Sequence, residues 1–142
     1  MSKEAVKTLS PTEAHNLVEN DPRAVLIDVR SNMEFLFIGH PLGAINIAWI
    51  DEPDWKINEH FASDVRKLLL GGLSHLQNIG SAPVVLICRS GKRSLEAGEL
   101  LIKEGFTDVC NVLEGFEGEL DDKHQRSTTA GWRFDGLPWE QC

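Results

Sequence analysis

Six consecutive residues, Cys88-Arg89-Ser90-Gly91-Lys92-Arg93, place a thiol directly ahead of three cations and a glycine. A cysteine attacks as the thiolate, and nearby positive charge stabilises that form. Gly91 permits a tight turn in which successive backbone amides converge on one point. A helix starting behind the loop adds the partial positive charge of its N-terminus. The same features make a pocket for an anion. A thiolate ringed by donors, with no evident general base beside it, points to group transfer through a covalent adduct on sulfur. The plainer alternative is a buried cysteine ending a strand ahead of an ordinary polar loop. It leaves the clustering of Arg89, Lys92 and Arg93 unexplained.

The other two cysteines, Cys110 and Cys142, have no such surroundings, and no pair has Cys-x-x-Cys spacing. Three cysteines cannot close a disulfide framework. The histidines (His15, His40, His60, His75 and His124) stand at no metal-ligand spacing, so no zinc site is expected. The chain has 142 residues, of which 42% are hydrophobic and 25% charged, the usage of one globular domain. A formal charge of −8 argues against a nucleic-acid groove, which needs clustered cations over phosphates. No apolar run approaches the roughly 20 residues that span a bilayer. Pro83 to Cys88 is strand-sized, and Met1 to Ala5 lacks the apolar core of a signal peptide. A soluble cytoplasmic protein is expected, without membrane or nucleic-acid partners.

The elements that must position the thiol can be read in order. Ser10, Pro11 and Glu13 form a capping box with proline at the first helical position, and Pro22 stops that helix near Asn20. Ala24 to Val29 is a continuous β-branched run and reads as a buried strand. Asn32 to Ile38 reads as a short helix closed by Gly39, and Ala44 to Ala48 as a second strand. The segment 49–82 carries no strand signal. It holds one amphipathic helix through Phe61, Val65, Leu68 and Leu69, which Gly71-Gly72 should end or break. Pro83 to Cys88 is a third strand, Arg89 to Arg93 a loop, Ser94 to Glu104 a helix, and Val109 to Leu113 a fourth strand. Alternating strands and helices imply parallel pairing, with ligands bound beyond the carboxyl ends of the strands. Cys88 sits at such an end.

In this context the chain resembles a single-domain rhodanese, a rhodanese-like sulfurtransferase. Asp28-Val29-Arg30 is similar to the end of that family's first core strand, and Glu34-Phe35 to the acidic-aromatic pair after it. Gly39-His40-Pro41-Leu42-Gly43-Ala44-Ile45-Asn46 resembles its Gly-His-Ile-Pro-Gly-Ala signature, with the proline one place early. Cys88 to Ser94 resembles its active-site loop. Leu113-Glu114-Gly115-Phe116 resembles the segment after the last strand, with Phe116 where a second glycine is commoner. The segment 49–82 is longer than in the shortest members.

The resemblance implies an α/β, three-layer rhodanese-like fold: a central, mostly parallel sheet of four to five strands flanked by helices. One domain would span 1–142, its core at about 8–120 and its tail, 121–142, packed against it. It implies that Cys88 takes the sulfane sulfur of a donor such as thiosulfate, carries it as a persulfide, and yields it to cyanide, a thiol or a protein cysteine, with no metal or organic cofactor needed. The amides of Arg89, Ser90, Gly91, Lys92 and Arg93 would cradle the persulfide, and the three cations would hold the small anionic donor. Asp28 and Glu34 would support the loop from outside, Glu34 by pairing with Arg93, or else Asp28 caps a turn and Glu34 is simply solvated. His40 in its Gly-Pro turn reads as structural, and Trp132 and Trp139 as core cover. The rivals are a non-turnover sulfur carrier or binding module, and a phosphatase or arsenate reductase of the same fold. The last group needs Cys followed by five residues and then Arg, whereas here the arginine falls one place early and Ser94 holds that position. Monomer and homodimer both fit the sequence.

Overall fold

The computed structural model describes residues 5–51, 53–73 and 82–141; Cys142 and residues 74–81 lie outside them. After a short strand, β1 (Lys7–Leu9), helix α1 (Pro11–Asn20) begins at the expected capping box. The Ser10 hydroxyl accepts from the Glu13 amide at 3.1 Å, and the Glu13 carboxylate accepts from the Ser10 amide at 2.8 Å. Strand β2 (Val25–Asp28) follows, then a helical turn that is π-type over Glu34–Ile38. The remaining elements are β3 (His40–Pro41), β4 (Ile45–Asn46), β5 (Ile50–Asp51), β6 (Lys56–Ile57), α2 (Phe61–Leu73), β7 (Val84–Ile87), α3 (Lys92–Lys103), β8 (Val109–Val112) and β9 (Trp139–Glu140).

Five strands form one parallel sheet in the order β1-β8-β7-β2-β4. Alternation along β7 divides the core. Val84, Leu86 and Cys88 face α2 and α3, where they pack with Phe61, Val65 and Leu101. Val85 and Ile87 face α1 and the chain's end, where they meet Ala14, Phe116 and Trp132. The result is three layers, with a central strand buried on both faces, as a near-continuous apolar run requires. Because every strand of this sheet points the same way, the segments after β2, β4, β7 and β8 emerge at one edge. The candidate site is there.

Several elements depart from the sequence expectations. Segment 49–82 does contain strands, the two-residue antiparallel pair β5–β6, too short to carry a periodic signal. Helix α2 does not stop at Gly71-Gly72; its backbone stays helical to Leu73. A glycine costs a helix only about 1 kcal/mol, and the fully buried Phe61 and Val65 anchor this one. Helix α3 starts at Lys92 and not at Ser94, so Lys92 and Arg93 lie in its first turn and not in a loop. The strand expected over Ala44 to Ala48 contracts to Ile45–Asn46, and β1, β3 and β9 were not anticipated.

Candidate active site

Cys88 follows the last residue of β7 and is 1% exposed, its side chain on the α2–α3 face. Gly91 turns the chain above it with φ of +104°, a left-handed conformation that glycine adopts freely. That turn aims the Gly91 N–H at Cys88 Sγ, 3.1 Å away. Ser94, fully buried in the first turn of α3, brings its hydroxyl within 3.2 Å of the same sulfur. The Ser94 hydroxyl also contacts the side-chain oxygen of Asn111 on β8, and the Asn111 amide donates to the Gly91 carbonyl at 3.3 Å. Sulfur, turn, helix start and neighbouring strand are thus tied into one polar cluster beneath an otherwise apolar layer.

The loop is braced from behind. Phe116 N–H donates to the Cys88 carbonyl at 2.8 Å, and the amides of Glu117 and Gly118 to the Arg89 carbonyl at 3.0 and 3.2 Å. This contact is close enough to demand glycine at 115. A Cβ there would lie 2.3 Å from the Cys88 carbonyl oxygen, and φ is +61°. Phe116 is itself fully buried, with the Arg30 guanidinium 4.7 Å above its ring.

The three cations have different fates. Arg93 is held by Glu34 in a two-pronged ion pair, at 2.8 and 3.0 Å. Burial pushes the Glu34 carboxyl up, but its bonds and attraction to Arg93, helped by Ser31, outweigh that and hold it at about 2. Glu34 in turn raises the Arg93 pKa. Arg93 is therefore committed to a brace and is not a free donor for an anion. Arg89 and Lys92 are exposed, Ser90 is half-buried, and these three face solvent around the thiol.

Asp28 does not touch the loop. It is fully buried and receives the Arg30 backbone N–H at 3.1 Å and its guanidinium at 2.6 to 3.2 Å. Glu117 faces the other end of Arg30, with 3.6 Å between Oε2 and Nη1. The role of Asp28 is thus to hold the turn after β2 through Arg30. His40 stacks on Phe35 at 3.7 Å and bonds the Phe35 carbonyl through Nδ1 at 2.7 Å, which is structural too. Trp132 is buried, whereas Trp139 is 39% exposed and pairs through β9 with Pro41.

Arg30, Ser94, Asn111 and Glu117 were not singled out as site residues from the sequence. Asn111 carried a usable signal: a polar side chain in the apolar run Val109 to Val112 must find a partner when buried. Glu117 carried none. Described residues of segment 49–82 line a polar cleft of about 870 Å3, with Asn32, Asn46, Asp51 and His60 in its walls and none of the loop residues.

Comparison with known proteins agrees with this geometry. The model of the rhodanese-like domain matches residues 10–120. The chain belongs to the rhodanese-like domain family. It is similar to the crystal structure of Rv0390 from M. tuberculosis, 34% identical, with a TM-score of 0.81 over 97% of this chain and 99% of that one. It is 28% identical to an uncharacterized protein of Rickettsia conorii over 96% of this chain and 98% of the relative. It is also 25% identical to a thiosulfate sulfurtransferase of Haemophilus influenzae, over 79% of this chain and 86% of the relative. The rhodanese-like match takes in the cysteine loop and its Gly115 brace and stops short of Trp132 and β9. Among the described residues no helix is long and apolar enough to cross a membrane.

Proposed function

We propose that the protein is a sulfurtransferase that moves sulfane sulfur from a small anionic donor such as thiosulfate to a thiophilic acceptor through a persulfide on Cys88. Cys88 thiolate attacks the outer sulfur of thiosulfate. A new sulfur–sulfur bond forms, the donor's own sulfur–sulfur bond breaks, and sulfite leaves with the electron pair. The outer sulfur of the resulting persulfide carries the negative charge. An acceptor (cyanide, a thiol or a protein cysteine) then attacks that outer sulfur, and Cys88 departs as thiolate. No proton need move in either exchange between anions, which accords with the contacts of the sulfur among the described residues, a backbone amide and a serine hydroxyl.

One observation carries this reading: Cys88 Sγ lies at a strand end, with a glycine-turn amide at 3.1 Å and a buried hydroxyl at 3.2 Å aimed at it. Donors placed there stabilise negative charge on sulfur both as nucleophile and as leaving group. The thiosulfate sulfurtransferase relative from Haemophilus influenzae lends support. Arg89 and Lys92 would attract the donor, while the amides from Arg89 to Arg93 receive the outer sulfur. Incubation with thiosulfate should add one sulfur atom by intact mass, and cyanide should then release it as thiocyanate. Cys88→Ser should abolish both and Cys110→Ala should retain most of the activity, because burial pushes the Cys110 thiol up to about 11. Thiocyanate formation by Cys88→Ser would sink the mechanism.

A further inference from the structure

A serine hydroxyl has one proton to donate, and Ser94 has two acceptors within reach, Cys88 Sγ at 3.2 Å and the Asn111 side-chain oxygen. It cannot serve both at once. Asn111 is not free to turn around: its amide nitrogen donates to the Gly91 carbonyl at 3.3 Å, so its oxygen must face Ser94. All three groups are buried, where a missing partner is costly. The choice of acceptor therefore depends on the charge at the sulfur.

We propose that Ser94 is a catalytic residue whose hydroxyl proton swings between Asn111 Oδ1 and Cys88 Sγ as charge arrives at and leaves the sulfur, with Asn111 as the positioning residue that sets its resting direction. This rests on the sulfur-transfer reading of Cys88. With the sulfur protonated, S–H donates to Ser94 Oγ and the hydroxyl donates to Asn111. When the thiol proton is released to water, the anionic sulfur becomes the stronger acceptor and the hydroxyl turns to it. In the persulfide the inner sulfur is neutral and the charge sits on the outer atom, so the hydroxyl returns to Asn111. Ser94 thereby stabilises the nucleophile and the departing thiolate, and releases the intermediate between them. The Gly91 amide donates in every state.

The surrounding charges are fixed contributors. The loop and α3 present Arg89, Lys92 and the Glu34-bound Arg93, and the turn after β2 presents Asp28 bound to Arg30, with Glu117 at that arginine's far end. None is altered in the variants below.

Thiolate formation can be followed by absorbance near 240 nm, as the difference between each protein and its Cys88→Ser counterpart. The sequence contains no tyrosine, so no phenolate obscures the signal. Ser94→Ala should move the Cys88 midpoint upward by about one pH unit, leaving roughly tenfold less thiolate below it. Ser94→Thr, which keeps the hydroxyl, should restore it. Asn111→Leu removes the competing acceptor and should move the midpoint downward, and this variant carries the test where Ser94→Ala does not fold. A merely structural role does not produce shifts of opposite sign. An unchanged midpoint in folded Ser94→Ala, or an upward shift in Asn111→Leu, overturns the proposal. If the variants show these shifts while the wild-type protein takes no sulfur from thiosulfate, the sulfur-transfer reading is refuted and the hydroxyl switch upheld.

Discussion

At the scale of single residues, the loop's chemistry depends on a division of labour among like charges. Arg93 looks from the sequence like one of three anion-binding cations, yet its guanidinium is spoken for by Glu34. That pair links α3 to the turn after β2, and so fixes the first turn of the helix that carries Ser94. Its pH dependence has a definite sign. The Glu34 carboxyl sits at about 2 in the folded protein against an ordinary value of 4.5. A depressed carboxyl stabilises the fold fully above its unfolded value and loses that contribution as pH falls through the folded one. Glu34→Gln should therefore cost about 1–2 kcal/mol near pH 7, allowing for solvent around a partly exposed pair. In urea unfolding the gap to wild type should narrow steadily between about pH 4.5 and 2. A gap that stays constant down to pH 2 would mean that shape, and not charge, is what Glu34 supplies.

At the scale of elements, the thiol loop is shaped from behind as much as from its own sequence. Gly115 lies where any Cβ would strike the Cys88 carbonyl, 2.3 Å away, in a backbone conformation that side chains disfavour. Gly115→Ala should thus push the brace off the loop, lower stability by about 2 kcal/mol or more, and depress sulfur transfer further than the stability loss explains. Full activity in a folded Gly115→Ala protein would show that the brace does not set the loop. The sequence made this arrangement legible only in part. Helix α1, with its capping box, and the long apolar strands β2 and β7 were readable because each repeats its signal over several residues. The two-residue pairs β5–β6 and β3–β9 were not, since so short a strand is made by its partner and not by periodicity. The same contrast holds within the site. Cys88 and its cations were visible as a local cluster, whereas the Glu34–Arg93 pair was suggested only by the family resemblance, with a solvated Glu34 as the alternative. The contacts of Ser94 with Asn111 and of Arg30 with Glu117 join residues 17 and 87 positions apart, which only the fold brings together.

At the scale of the whole molecule, the anionic donor proposed for Cys88 must approach a protein of formal charge −8. Uniform repulsion would slow such an encounter, so the local field around the loop has to reverse it. With Arg93 neutralised by Glu34, that field comes from exposed Arg89 and Lys92 and from the start of α3. Lys92 is the cleaner probe, because it sits on the helix and contributes a charge without shaping the turn. Lys92→Ala should raise KM for thiosulfate several-fold and change kcat much less, the pattern of lost binding shared by ground and transition states. Salt should act in the same direction. Screening over about 8 Å at physiological ionic strength weakens an exposed pair of cations, so wild-type KM should climb as sodium chloride is added. The climb should be shallower in Lys92→Ala, where part of the attraction is already gone. A wild-type KM that falls with salt would mean instead that the general negative charge dominates the approach, and that Arg89 and Lys92 do not recruit the donor.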